Sequence, residues 1–65
     1  MYNPLVSIII PTYNRAHLIV ETLNAILAQT YTHWECIIVD DGSTDASEIL
    51  IKQYCDSDSR ISLYH

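Results

Sequence analysis

Two short polar segments carry most of the reactive side chains in this 65-residue sequence. Pro11-Thr12-Tyr13-Asn14-Arg15 supplies an aromatic ring, a hydroxyl, an amide and a guanidinium. Asp40-Asp41-Gly42-Ser43 supplies two carboxylates on a flexible backbone. An aromatic ring can stack on a planar base. A carboxylate can accept a hydrogen bond from a ring N–H or from a ribose hydroxyl. Side by side, the two segments suit a nucleoside. Each alone reads more readily as a turn with helix-capping residues. Their joint placement decides between the readings, and it depends on the elements that carry them.

Each segment follows an apolar, β-branched run. Leu5 to Ile10 reads as a strand buried on both faces, and Pro11, which has no N–H to give a ladder, is expected to end it. Trp34 to Val39 reads as a second buried strand, with Trp34 as core packing or a sheet-end cover. Between them, Arg15 to Gln29 has helical spacing, with Ile19, Leu23, Ile26 and Leu27 on one face and Asn14 as N-cap. A second helix follows, capped by Ser43 or Thr44, with Ala46, Ile49, Leu50 and Tyr54 as its buried stripe. Asp56 to Ser59 is a polar loop, and Arg60 to Tyr64 a third strand. The order β-α-β-α-β implies a parallel sheet with right-handed crossovers. Ligands bind such sheets beyond the carboxyl ends of the strands, where both polar segments emerge.

Composition narrows the function further. Three Lys and Arg against eight Asp and Glu give a net charge of −5, which argues against nucleic acid as a partner. One glycine is too few for a Walker loop or a dinucleotide fingerprint. The apolar run near the start is too short for a signal peptide or a membrane span. The expectation is a cytoplasmic protein, attached to a membrane only through a larger parent. Cys36 and Cys55 have neither zinc-knuckle nor redox-motif spacing, and His17, His33 and His65 are scattered. Each histidine reads as a surface residue. The chain stops at or just after a strand, which would leave raw sheet edges, so residues 1–65 read as part of something larger.

Three stretches resemble the inverting family-2 glycosyltransferases. They are Val6 to Arg15, the helix ending Ile26-Leu27-Ala28-Gln29-Thr30-Tyr31, and Trp34 to Asp45. The match covers nearly the whole chain, in order and in register. It implies the N-terminal half of a Rossmann-like GT-A nucleotide-binding domain, an α/β three-layer fold. The implied activity is transfer of a sugar from a nucleotide-diphosphate sugar, usually UDP-linked, to an acceptor hydroxyl with inversion. By the same resemblance Pro11, Tyr13 and Asp41 hold the nucleoside, and Asp40 and Arg15 support the pocket. Arg15 can also approach the diphosphate, while Thr12 and Asn14 act through backbone and capping.

The resemblance also says what these residues lack. The family's metal-binding Asp-x-Asp, for Mg or Mn, lies on a later strand, and its general base later still. No catalytic residue or metal ligand is expected here. Asp56-Ser57-Asp58 has the right spelling in the wrong place and reads as a solvated turn. Two rivals fit poorly. A haloacid-dehalogenase-like phosphatase would need an aspartate where Val39 stands, and a receiver domain an acidic pair after the first strand. A third reading is an inert scaffold. The unpaired apolar edge of the first strand is expected to make the isolated chain self-associate.

Overall fold

In the computed structural model, which describes residues 3–65, five elements alternate: β1 (Val6–Thr12), α1 (Ala16–Ala28), β2 (Trp34–Asp40), α2 (Ser47–Ser57) and β3 (Ile61–Tyr64). The three strands form one parallel sheet in the order β1-β2-β3. Val6 pairs with Trp34 and Thr12 with Asp40, so β1 and β2 end at the same level. That register brings the two polar segments together at the carboxyl rim.

Strand alternation divides the sheet into two faces. Trp34, Cys36 and Ile38 of β2 and Ile61 of β3 pack against Ile19 and Leu23 of α1 and Ile51 of α2 in one core. Ile8 and Ile10 of β1 join it while only half-buried. Fully burying a Leu or Ile side chain contributes about 1.5–3 kcal/mol, so this cluster holds the helices to the sheet. The described residues thus supply the sheet and one helical layer. On the other face Ile9, Val39 and Tyr64 are exposed. β1 is therefore not buried on both faces, as its apolar run suggested; the pleat sends Ile9 to the open side.

Pro11 does not end the strand. It lies inside β1, opposite Val39. The Thr12 carbonyl accepts from Asp41 N–H at 2.9 Å, so Thr12 faces β2 and Pro11 faces the open edge, where a missing N–H costs no ladder bond.

The second helix is rotated from the expected phase. Ser47 and Ile51 are fully buried, Leu50 and Tyr54 half-buried, and Ile49 and Ala46 exposed. Ser47 can occupy the core because its hydroxyl donates to Asp45 Oδ1. Among the described residues, no helix is long and apolar enough to cross a membrane.

At the amino end of the sheet, the Arg60 guanidinium lies 3.8 Å from the centre of the Trp34 ring. It donates to Asp58 Oδ2 at 2.7 Å and to the Thr32 carbonyl at 2.9 Å. Asp58 is thus not a solvated turn: with Arg60 it closes the end of β2 opposite the polar rim. Trp34 is both core and sheet-end cover.

Candidate functional site

The two polar segments enclose a cleft of about 660 Å³ at the carboxyl ends of β1 and β2. Pro11, Thr12, Tyr13 and Arg15 form one wall and Asp40 and Asp41 the other, with Val39 and His65 completing it. Six of the seven residues expected from sequence therefore meet in one place. Asn14 is the exception: it faces the opposite loop. Sequence reading missed Val39, which it counted only as strand, and also His65. His65 follows β3, so a third strand end reaches the cleft, and its Nε2 lies 3.2 Å from Glu48 Oε1 on the first turn of α2. A lone histidine at the end of the sequence carried no signal of this.

The two aspartates have different surroundings. Asp40 is buried; it accepts the Ser43 hydroxyl on Oδ1 and Ser43 N–H at 3.3 Å on Oδ2. Its carboxylate builds the turn. Asp41 is exposed at the rim, anchored through its backbone N–H to Thr12, so its carboxylate is free to meet a ligand. Tyr13, 53% exposed, presents its ring on the facing loop. Arg15 is also exposed. The arrangement offers an aromatic surface, an acceptor and a cation around one cleft.

Asn14 and Ser43 tie the loops together. Asn14 N–H donates to Ser43 Oγ at 2.8 Å. Asn14 Oδ1 accepts from Thr44 N–H at 2.7 Å and Asp45 N–H at 3.2 Å. In return Asp45 Oδ2 accepts from Ala16 N–H, in the first turn of α1, at 3.2 Å. Asn14 is thus not the cap of its own helix, and neither Ser43 nor Thr44 caps α2. Asp45 stands at the start of both helices and accepts Ser47 N–H at 3.0 Å. Its hydrogen bond from the Ser47 hydroxyl, with backbone N–H bonds, holds its carboxyl below the ordinary aspartate pKa.

Thr12 is 7% exposed, and its Oγ1 has no hydrogen-bond partner among the described residues. It lines both the cleft and a smaller groove along the open edge of β1. Its carbonyl anchors Asp41.

A divalent metal finds no ligand set here. Among the described residues no three His, Cys, Asp or Glu side chains are grouped to hold one. Asp40 is committed to Ser43, and Asp41 stands apart as an acceptor.

Comparison with known proteins agrees with this fold. The model for the family described as "Glycosyl transferase family 2" matches residues 7–65. TuaG of Bacillus subtilis, a glycosyltransferase named for teichuronic acid biosynthesis, is 44% identical over 98% of this chain. The Escherichia coli UDP-Glc:alpha-D-GlcNAc-diphosphoundecaprenol beta-1,3-glucosyltransferase WfgD is 44% identical over 91%. Among solved structures, the mannosyltransferase PcManGT from Pyrobaculum calidifontis, in complex with GDP-Man and Mn2+, superposes with a TM-score of 0.82 at 35% identity over 95% of this chain. The chain spans 25% of TuaG, 22% of WfgD and 19% of the PcManGT chain. Matched along almost its entire length, in fold as in sequence, the chain belongs to glycosyl transferase family 2.

Proposed function

We propose that this chain is the nucleoside-binding part of a glycosyltransferase. The whole enzyme transfers a sugar from a nucleoside-diphosphate sugar to an acceptor hydroxyl, with inversion at the anomeric carbon. The observation that carries the reading is the cleft where Tyr13 and the free carboxylate of Asp41 face each other at the strand ends. Tyr13 packs against the base, and Asp41 accepts a hydrogen bond from its ring N–H. Pro11 and the buried Asp40 set the backbone on either side, and Arg15 meets the diphosphate.

Uridine is the base we assign, with one N–H for Asp41 to accept. Guanine offers two N–H groups on one edge, so the carboxylate alone does not exclude it. GDP-Man in the PcManGT complex keeps this second base in the test. The divalent metal takes its ligands, like the acceptor its general base, from residues outside these 65. Both thiols are free, which suits a reducing compartment such as the cytoplasm.

Titrating the full-length protein with UDP and GDP tests the reading. Saturable binding of UDP, with release of UDP from a sugar donor in the presence of acceptor, supports it. Absence of binding to either nucleotide overturns it.

A second reading concerns the isolated chain. Ile9, Val39 and Tyr64 put apolar side chains on the open sheet face, beside the hydrogen-bonded Ser7–Glu35 pair, and Val6, 44% exposed, lies at the start of β1. Burial contributes roughly 25 cal/mol per Å², while repulsion from a net charge of −5 is screened beyond about 8 Å at physiological salt. Self-association of the 65-residue chain follows. Sedimentation over a concentration series checks it, and a monomer of 7.4 kDa at the highest concentration contradicts it.

A further inference from the structure

We propose that Asn14 and Asp45 are positioning residues that make the two loops one recognition element, so that Tyr13 and Asp41 bind a nucleoside jointly rather than separately. The inference rests on the proposed nucleoside site and adds to it two residues that line none of the cleft.

Tyr13 immediately precedes Asn14, and Asp41 lies two residues before Ser43. A crossed set of hydrogen bonds connects these neighbours. The β1 loop gives an N–H to Ser43 Oγ and takes Thr44 and Asp45 N–H on Asn14 Oδ1. The β2 loop returns the Asp45 carboxylate to Ala16 N–H. Ser43 passes the link on to the buried Asp40. The residues that meet are 29 to 31 positions apart in sequence, so nothing local holds them together.

Asn14 has the side chain this junction needs. Its φ is +48°, in the left-handed region that asparagine tolerates better than most residues. Its amide oxygen can accept two N–H groups without adding charge. Aspartate would keep the acceptor but bring a second carboxylate beside Asp45. Glycine would keep the φ and lose the acceptor.

Two loops fixed in advance bind a planar ligand without first having to be ordered, which is where preorganisation increases affinity. With the lock open, Tyr13 and Asp41 no longer share one geometry, and removing either costs less than it does in the intact site.

The test is a double-mutant cycle on the full-length protein, with UDP and GDP as probes and affinity read by calorimetry. Asn14→Gly is expected to weaken binding about tenfold. In that background Asp41→Ala should cost less than about threefold more, against the larger loss expected in the native background. Asp45→Ala should reproduce the pattern, and Asn14→Asp should recover part of the affinity. Asp58→Ala, at the far end of the sheet, controls for lost stability: it should lower the melting temperature without changing affinity or the Asp41 increment. Full additivity of Asn14→Gly with Asp41→Ala, or unchanged affinity in Asn14→Gly, overturns the proposal while leaving the nucleoside site standing. Failure of the native protein to bind either nucleotide overturns the site itself.

Discussion

Replacing Asp41 by alanine separates recognition from folding more cleanly than any other change in this chain. The Asp41 side chain is exposed, and its backbone N–H bond to the Thr12 carbonyl, at 2.9 Å, survives the substitution. Surface changes of this kind usually alter stability by no more than about 0.5 kcal/mol. A hydrogen bond to a charged group contributes about 1.5–3 kcal/mol, and each 1.4 kcal/mol is a factor of about ten in affinity. Asp41→Ala should therefore weaken UDP binding roughly ten- to a hundredfold with an unchanged melting temperature. Tyr13→Ala should do somewhat less, because a stacked base loses about 1–3 kcal/mol and part of that returns through solvent. The neighbouring Asp40→Ala should behave in the opposite sense: its buried carboxylate holds Ser43, so the loss falls first on stability. Calorimetry on the full-length protein, paired with thermal unfolding, reads both quantities. Equal losses of affinity from Asp41→Ala and Asp58→Ala would refute the reasoning, because Asp58 lies at the other end of the sheet.

Three further changes probe what stabilises the fold. Asp58→Ala removes the partner that orients Arg60 over Trp34, and thermal unfolding should register a loss of about 1 kcal/mol, discounted for partial exposure. Asp45 and Asp58 both have carboxyl pKa values lowered, by the Ser47 hydroxyl and by the Arg60 side chain respectively. A lowered pKa lends stability that is complete above the ordinary aspartate value of 3.8 and is lost as the pH falls below it, so the melting temperature should drop on acidification in that range and drop less in the double alanine variant. Gly42 has φ +79° with open space where a Cβ would stand, so Gly42→Ala should cost about 1–2 kcal/mol through backbone strain alone, measurable by denaturant unfolding.

The sequence made the architecture legible because the apolar runs of β1 and β2 alternate with helical spacing, and because both polar loops fall at strand ends. Its limits were physical. Ile9 and Ile8 look alike as residues, yet the pleat sends them to opposite faces, and only the placement of both helices on one side distinguishes them. The phase of α2 was misread because Ser47 looks like a surface residue until its hydroxyl finds Asp45, and Ile49 looks like core although it faces solvent. Asn14 has the chemistry of a helix cap, but its partners lie about 30 residues away, beyond any local pattern. Pro11 ends a strand only where its N–H is needed, and the open edge of β1 does not need it. Most residues of the cleft were legible as two polar loops at strand ends; what joins the loops was not.

We propose above all that the nucleoside lies between the two loops at the carboxyl rim of the sheet. A crystal structure of the full-length protein with bound UDP tests it most directly. The base is expected against the Tyr13 ring, with its N–H within about 3 Å of the Asp41 carboxylate, and Asn14 still bonded across to Thr44 and Asp45. A base bound elsewhere, or one in the cleft that touches neither Tyr13 nor Asp41, would contradict it.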